Sequence, residues 1–366
     1  MKLICKFLSI VAVVGLCVAT AVAAPKSKQR NLLRKTDKEF FKTELADKIG
    51  RQVVAYQRCT GGWPKNINMS VMLSPSQMDS VLAVKSRRDD STIDNNATTE
   101  QMTYLARLYQ ATGDTLYLNS FRRGVEFLLS GQYPNGGWPQ FWPENWGYQV
   151  HITYNDGAMV NTMLILREIS AGVEPYQNMV DKETALRIDD AFARGVDCIL
   201  ATQIIGADGR RTVWCQQHDH ETLAPAKARS YELPSYCSQE SVGIVELLMS
   251  LPEPNAGVRE AIHGAMRWLD DHKLVGYKYG PQMIDGKPER VLVEDATAST
   301  PLWARFYDLD NAEPFVSDRD GVPVRSVMEI GSERRNGYGW YNDAATRLYP
   351  QYEAWCERYS EPKEKF

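Results

Sequence analysis

The sequence predicts a mainly α-helical fold, an incomplete α/α toroid of antiparallel helical pairs with a smaller β- and loop-rich part packed against it. Two observations lead to this prediction. An apolar helix followed by a glycine-rich turn recurs about every seventy residues. Helical periodicity then fades from Asp285 onward, where prolines and glycines become frequent.

The recurring unit is a helix that ends near a glutamine and leads into Gly-Gly-Trp-Pro, or into a weaker form of that turn. The four copies lead to residues 61–64, residues 136–139, Trp214 and Tyr277. The glycines permit positive φ just after the helix, and the proline prevents the helix from resuming. The spacing suits two antiparallel helices and a long loop, with residues 98–110 as one partner helix.

The tryptophans of these turns have two interpretations. Trp63 and its counterparts could pack in the core beneath the turns, as large aromatic side chains often do. Alternatively, if the turns gather at one end of the toroid, Trp63 could stand at a cleft rim and stack on a sugar ring. The sequence leaves both open.

The section from about 285 to 340 is expected to form strands and loops, because residues 290–293 alternate and no helical period is visible. We expect it to belong to one catalytic domain that spans residues 37–352. A cleft between the toroid and this section is the expected binding site. Residues 353–366 are expected to form a C-terminal tail.

Residues 1–24 have the pattern of a signal peptide, with two lysines, an apolar run and a small-residue cleavage signature at 21–23. A membrane anchor is the competing interpretation, but polar residues interrupt the run and no other stretch approaches spanning length. We therefore expect a secreted or periplasmic protein without stable membrane insertion. Residues 25–36 are basic and predict a solvated leader.

The net charge argues against nucleic acid as a partner. Loss of two lysines with the signal peptide changes the formal charge from −4 to −6 (−4 − 2). Such a chain offers no basic field to attract phosphates. An anionic ligand must then be held locally, by clustered cationic side chains or by a bridging metal ion. A monomer is expected.

Five cysteines remain after residue 24, and an odd number leaves at least one free thiol unless chains pair. The segment 215–220 contains one cysteine and two histidines, which are residue types that bind zinc. No second Cys/His pair is close in sequence, so a structural zinc site is not expected.

Two segments place paired Asp and Asn just before apolar helices. Asp94 and Asn95 precede the helix near 98, and Asn155 and Asp156 precede the helix near 159. Helix capping, by Asn96 or Thr98 in the first segment, explains part of this pattern. Oxygen ligands on two adjacent helix starts would also suit calcium, although no EF-hand spacing is present.

A third polar segment, residues 227–235, is on its own best explained as a surface loop. Together with the other motifs, however, it resembles the family 10 polysaccharide lyases, the pectate lyases of the α/α toroid type, from about residue 36 to 352. The motifs that carry the resemblance are residues 61–66, 92–95, 137–140, 154–156, 226–232 and 315–319.

The resemblance implies specific roles for residues of this chain. Asp94, Asn95 and Asp156 fall at calcium ligands, and Arg229 falls at the catalytic base. The expected substrate-binding residues are Lys227, Arg305, Arg319, Lys65, Trp63 and Tyr231. Asn96 departs from the pattern, because glycine is expected after the Asp-Asn pair.

The implied reaction is calcium-dependent β-elimination on polygalacturonate, which gives unsaturated oligogalacturonates. A base removes the C5 proton, and cations near the C6 carboxylate stabilise the negative charge that develops. An arginine base is unusual, because its pKa normally keeps it protonated. We expect that calcium and Lys227 favour neutral Arg229 and that activity is alkaline.

The sequence also fits three alternative functions. A glycoside hydrolase on the same toroid could use Asp94 and Asp156 as its carboxylate pair, would need no calcium and would give saturated products. A terpene-cyclase-like toroid is disfavoured by export and by the lack of an Asp-rich metal motif. A non-catalytic polysaccharide-binding protein would bind polygalacturonate without producing unsaturated ends.

Overall fold

The computed structural model describes residues 30–363, and these contain ten α-helices and ten short β-strands. The helices are α1 (Glu44–Tyr56), α2 (Pro75–Ala83), α3 (Thr99–Thr112), α4 (Thr115–Ser130), α5 (Ala158–Ser170), α6 (Lys182–Thr202), α7 (Ser238–Met249), α8 (Ala256–Asp271), α9 (Ser332–Gly337) and α10 (Leu348–Tyr359).

The long helices form two concentric rows. The hairpins α3–α4, α5–α6 and α7–α8 each pair an inner with an outer helix. The inner helices α3, α5, α7 and α10 contact one another in succession, and so do the outer helices α1, α4, α6 and α8. Helix α7 is apolar and buried around most of its circumference, as expected for an inner helix. The predicted α/α toroid is confirmed.

A tryptophan follows every outer helix and ties the turn back to it. Each indole N–H donates a hydrogen bond of 2.7–2.8 Å to a backbone carbonyl of the preceding outer helix. The pairs are Trp63 with Val53, Trp138 with Leu128, Trp214 with Ile199, and Trp303 with Leu269. All four side chains are fully buried, so the core-packing interpretation is correct for them.

The glycines of the turns are required by close backbone packing. Gly61 and Gly136 have φ of 95° and 88°, which glycine adopts most easily. A Cβ on Gly61 would lie 2.3 Å from the carbonyl oxygen of Arg123, and one on Gly136 would lie 2.0 Å from that of Arg194. Each turn therefore docks directly on the next outer helix.

The strands form a hairpin, a four-stranded sheet and two small pairs. They are β1 (Ile152–Thr153), β2 (Gln217–His218), β3 (Tyr236–Cys237), β4 (Tyr277–Ile284), β5 (Lys287–Glu294), β6 (Trp303–Ala304), β7 (Phe306–Tyr307), β8 (Pro314–Ser317), β9 (Pro323–Val324) and β10 (Tyr341–Asn342). The antiparallel partners are β4–β5, β1–β2, β6–β10 and the sheet β3-β7-β8-β9.

The β4–β5 hairpin corrects the predicted fourth repeat. That copy was expected to lead toward Tyr277, but Tyr277 begins β4 and its turn tryptophan is Trp303. The hairpin is inserted between α8 and Trp303, so the spacing of the earlier copies does not hold. The β-rich section also begins before residue 285.

The predicted termini need two corrections, and residues 1–24 lie outside the described part of the chain. The leader was expected to be solvated up to residue 36, but Leu33 is buried and Asn31 donates a hydrogen bond to Glu100. The tail was expected from residue 353, but α10 continues to Tyr359 and buries Trp355.

Two further features concern residues 30–363 alone. All five cysteines there have free thiols, and all except Cys59 are buried. None of the described helices combines the length and apolarity that crossing a membrane would require.

Candidate active site

The repeat brings Asp94 and Asp156 to the starts of neighbouring inner helices. The carbonyl oxygen of Trp63 accepts a hydrogen bond from the Thr92 N–H, and that of Trp138 accepts one from the Thr153 N–H. Residues 94–95 and 155–156 therefore follow equivalent anchor points. The 3₁₀ turns that contain them pack against each other just before α3 and α5.

Left-handed backbone places these side chains outside the helices that follow. Asn95 and Asp156 have φ of 53° and 52°, and Asn96 and Gly157 have φ of 61° and 69°. Asn and Asp tolerate this region better than other non-glycine residues. Asn96 can therefore adopt the conformation that the expected glycine would have supplied.

The capping explanation for this segment is wrong. Thr98 is the residue before α3, but its hydroxyl does not cap the helix. It donates to the Thr92 carbonyl at 2.8 Å and accepts from the Trp63 N–H at 3.1 Å. Thr98 thus stabilises the turn, while Asp94 and Asn95 are left for another role.

The carboxylates of Asp94 and Asp156 lack sufficient positive charge around them. Asp94 is buried and pairs with the Lys65 ammonium through Oδ2, but its Oδ1 is buried without a hydrogen-bond partner among the described residues. Burial raises the pKa of Asp156, and Asp94 raises it further, while Arg305 and Arg229 oppose this. These oxygens fit a hard cation such as calcium, which would satisfy the orphaned oxygen and screen the repulsion.

Arg305 lies beside this pair but is buried in its own salt bridge. Its guanidinium donates to Glu240 at 2.5 Å and to the side-chain oxygen of Asn155 at 3.3 Å. Burial raises the pKa of Glu240, and Arg305 opposes that shift. Only 5% of Arg305 is exposed, so in this state it supports the site from beneath and does not present a free fork to a ligand.

Arg229 is held by Glu232 at the edge of the same site. Its Nε donates to the Glu232 carboxylate at 2.7 Å, and a second nitrogen completes the fork. Burial alone would lower the pKa of Arg229, but the hydrogen bonds and charge of Glu232 outweigh it and raise the pKa. Glu232 thus favours the protonated guanidinium, which opposes the shift expected from calcium and Lys227.

Tyr338 joins the two arginines. Its hydroxyl donates to Glu232 at 2.7 Å, and its ring lies 4.7 Å from the Arg305 guanidinium and 5.7 Å from that of Arg229. Tyr148 adds a second link, because the charges of both Arg229 and Asp94 act on its hydroxyl, whose pKa is raised by burial. Arg229 and the Asp94–Asp156 pair thus belong to one site.

Several cations extend from Arg229 along one edge. The Arg334 guanidinium lies 4.5 Å from the Tyr231 ring, whose other cationic neighbour is Arg229 at 5.1 Å. Glu333 bridges Arg334 to Arg319. The Lys227 ammonium lies beside Gly321, in the turn that follows Arg319. Lys227, Arg229 and Arg319 therefore lie in one cationic cluster with Arg334, which is buried at 8% exposure and supports the cluster from beneath.

Two predicted contact residues are not accessible. Trp63 is fully buried, and Tyr231 is only 4% exposed because the guanidinium groups cover it. Neither offers a face to a sugar, and Tyr231 instead positions arginines. Of the nine tryptophans, all of which lie in the described region, only Trp146 is exposed, at 59%.

Sequence reasoning missed Glu232, Tyr338, Tyr148 and Arg334. Glu232 belongs to the motif at residues 226–232, and its spacing of three residues from Arg229 is consistent with an ion pair. The other three carry no local signal, because their partners are distant in sequence.

The site combines two carboxylates suited to a metal ion, those of Asp94 and Asp156, with Arg229, which is paired with Glu232. A cluster of other guanidinium and ammonium groups lies beside Arg229. This arrangement suits a polyanion whose carboxylates repeat along a chain, since guanidinium forks match carboxylates.

Comparisons with known proteins agree with this interpretation. The family model described as pectic acid lyase matches residues 57–349. The family 10 polysaccharide lyase from Cellvibrio cellulosa superposes with a TM-score of 0.75 at 31% identity, covering 87% of this chain and 94% of that one. A mutant of that enzyme in complex with trigalacturonic acid gives the same TM-score and identity, with 95% of its chain covered. No curated protein sequence matches. The chain therefore belongs to the pectic acid lyase family and is a polysaccharide lyase.

Proposed function

We propose that this lyase is a secreted, calcium-dependent enzyme that cleaves polygalacturonate by β-elimination and releases unsaturated oligogalacturonates. The observation that carries the proposal is that Arg229 and Arg305 both lie against the Tyr338 ring, and that Arg305 contacts Asn155, the residue before Asp156. The trigalacturonic acid bound to the Cellvibrio cellulosa relative supports an oligogalacturonate substrate.

Asp94, Asn95 and Asp156 would hold the calcium ion. Their side chains offer oxygen atoms, and the buried Oδ1 of Asp94, which has no hydrogen-bond partner among residues 30–363, is suited to a hard cation. When bound, calcium would withdraw electrons from the C6 carboxylate of the sugar. Lys65, which pairs with Asp94 in this structure, would then be released to contact substrate.

Arg229 would remove the C5 proton. The electrons of the C5–H bond form the C4–C5 double bond, the C4–O bond breaks, and the leaving oxygen takes up a proton. Arg229 can accept a proton only as the neutral guanidine, so its contact with Glu232 must loosen first. Activity that rises with pH is the expected consequence.

Lys227 and Arg319 would bind carboxylates of successive sugar units, while buried Arg334 would hold Glu333 beside them. Arg319 is 65% exposed in its side chain, and its partner Glu333 is similarly exposed at 61%. Surface ion pairs of this kind contribute little stability. Exchanging Glu333 for a sugar carboxylate should therefore cost little.

The direct test is ultraviolet absorbance of unsaturated ends during incubation with polygalacturonate, with calcium or with a chelator. We expect absorbance to rise only with calcium. Saturated reducing ends without absorbance, or full activity in chelator, would contradict the proposal.

Matched variants test Arg229 itself. Arg229→Ala should abolish turnover while substrate binding persists, and Arg229→Lys should retain binding with a changed pH profile. Circular dichroism serves as the folding control. Substantial residual turnover by Arg229→Ala would refute its role as the base.

Secretion is tested separately from catalysis. Expression of the full chain with its native leader should give a mature protein that lacks residues 1–24, as measured by mass spectrometry of the exported fraction. An uncleaved protein in the cell would contradict this part of the proposal and leave the catalytic part unaffected.

A further inference from the structure

A second group of metal-ligand side chains lies outside the proposed calcium site. His151, Asp219 and His220 each offer one ligand atom, and these atoms lie within 4.8 Å of one another. The antiparallel pairing of β1 with β2 sets Ile152 opposite His218, which brings His151 and Asp219 together. The Nδ1 atom of His151 lies 3.7 Å from Oδ2 of Asp219.

The carboxylate of Asp219 is fixed for this contact. Its Oδ1 accepts hydrogen bonds from the backbone N–H groups of Glu221 and Thr222, at 3.1 and 2.8 Å, and from the Thr222 hydroxyl at 3.0 Å. The other oxygen, Oδ2, faces His151. Hydrogen bonds that orient a ligand in this way are typical of metal sites.

The histidines are also held in place, but part of each ring lacks a partner. Asn135 donates to the His220 carbonyl at 2.7 Å, and the His220 ring lies 5.3 Å from that of Tyr133. The Nδ1 atoms of His151 and His220 are both buried, and within the described part of the chain neither makes a hydrogen bond. Buried polar atoms without a partner call for an explanation.

Neighbouring His218, by contrast, has a hydrogen-bond partner at each ring nitrogen. One of its ring nitrogens accepts from the Cys215 N–H, and the other donates to the Leu223 carbonyl. His218 is therefore structural, whereas His151 and His220 keep nitrogen atoms available.

We propose that His151, Asp219 and His220 form a second metal site, for a borderline transition-metal ion of the Zn²⁺ class. Two imidazoles and one carboxylate are typical zinc ligands, whereas calcium prefers oxygen alone. Zinc lies about 2.0–2.2 Å from such ligands, so small side-chain rotations would close the present separations. Water would complete the coordination.

The site would stabilise the loop that carries Arg229. The N–H of Ala226 donates to the Gln217 carbonyl at 2.9 Å, so the segment that leads to Arg229 is attached to β2. An ion that links His151 to residues 219 and 220 would fix β1, β2 and this segment together. Sequence inspection of residues 215–220 could not find the site, because His151 is distant in the chain.

The test uses the tag-free mature protein, stripped with chelator and titrated with zinc chloride in excess calcium. We expect one zinc ion per chain by calorimetry. His151→Gln and His220→Gln should each weaken the affinity at least about tenfold. The matched control His263→Gln, on α8, should leave it unchanged. Asp94→Asn should also leave it unchanged, and loss of zinc binding in that variant would place the ion at Asp94 and overturn the proposal.

A readout on the parent protein does not depend on how the variants fold. Diethylpyrocarbonate modifies accessible histidines, and peptide mass spectrometry locates the modified residues. Saturating zinc should protect His151 and His220 from modification. Equal modification with and without zinc, or the absence of stoichiometric zinc binding, would overturn the proposal.

Discussion

The starts of α5 and α7 occupy equivalent positions in the repeat, but the carboxylates at these two positions have different surroundings. Asp156 is the third residue after Thr153, and Glu240 is the third after Cys237, and both anchors donate to a turn tryptophan. Glu240 lies inside α7 and forms a salt bridge with Arg305. Asp156 lies in left-handed backbone before α5, and no side-chain cation within residues 30–363 forms a salt bridge with it.

This difference shows how one position in a repeat can be structural or functional. At α7 the Glu240 carboxylate is paired with Arg305 of the same chain, so no external cation is needed there. At α5 Asp156 has no such ion pair, and at α3 Asp94 pairs with Lys65 but its Oδ1 has no hydrogen-bond partner among residues 30–363, so an external cation would relieve the repulsion between the two carboxylates.

Arg305→Ala should lower the free energy of unfolding by about 3–5 kcal/mol, because it leaves Glu240 buried without its partner. The pKa of Glu240 is already raised by burial and rises further in the variant. Below a pH of about 7 Glu240 is protonated in both folded proteins, so the loss is smallest there and grows as pH rises above that value. Urea unfolding at several pH values checks this.

The control for this prediction is the double variant Arg305→Met with Glu240→Leu, which removes both charges and should recover much of the stability. Single-variant stability within about 1 kcal/mol of the parent would show that the α7 pair is not structurally required.

Asp156→Asn should reduce kcat by about 10²–10³-fold and weaken calcium binding, because it removes one of the charges proposed to hold the ion. Asparagine tolerates the same left-handed backbone, so unfolding should change little. Calcium titration of the initial rate measures both effects. Asp190→Asn, an exposed carboxylate on α6, is the control, and unchanged calcium dependence in Asp156→Asn would contradict the ligand assignment.

Glu232→Gln should move the rising limb of the pH–rate profile about one pH unit lower, because Glu232 raises the pKa of Arg229 and its loss lowers it. The shape of the profile is the readout, since a misplaced arginine also reduces the maximum rate. Tyr338→Phe keeps the Glu232 charge and should shift the limb much less. An unmoved limb in Glu232→Gln would indicate that Arg229 acts only as a cation.

Trp146→Ala should raise KM roughly fivefold, corresponding to about 1 kcal/mol, if this exposed ring stacks on a sugar. Stability should be unaffected because the side chain packs against little. Trp146→Phe should retain most of the affinity. Equal KM values for all three proteins would remove Trp146 from the binding surface.

The toroid was predictable because each copy of its repeat is specified by residues that are close together in the sequence. The turn is specified by a helix followed by two glycines and a tryptophan. All of these residues are close in sequence to Gly61 in one copy and to Gly136 in the other. The Asp94 and Asp156 segments were visible for the same reason, although the sequence did not show that Thr98 would stabilise the turn and leave the helix uncapped.

The remaining features depend on contacts between distant residues. Packing between distant elements determines three features that no local pattern encodes. These are the burial of Trp63 in the core, the burial of Arg305, and the position of Tyr338 between two arginines. The fourth repeat failed as a prediction because an inserted hairpin displaced Trp303 from the expected spacing.

That hairpin offers a place to modify the protein without rebuilding it. Its strands meet through a two-residue turn at Asp285 and Gly286, with φ of 49° and 75°, and neighbouring Met283 is 69% exposed. Exposed loop tips tolerate insertions well. A carbohydrate-binding module inserted between Asp285 and Gly286 would be joined to the protein through the β4–β5 hairpin, which is itself an insertion in the repeat. The two rows of helices would keep their packing.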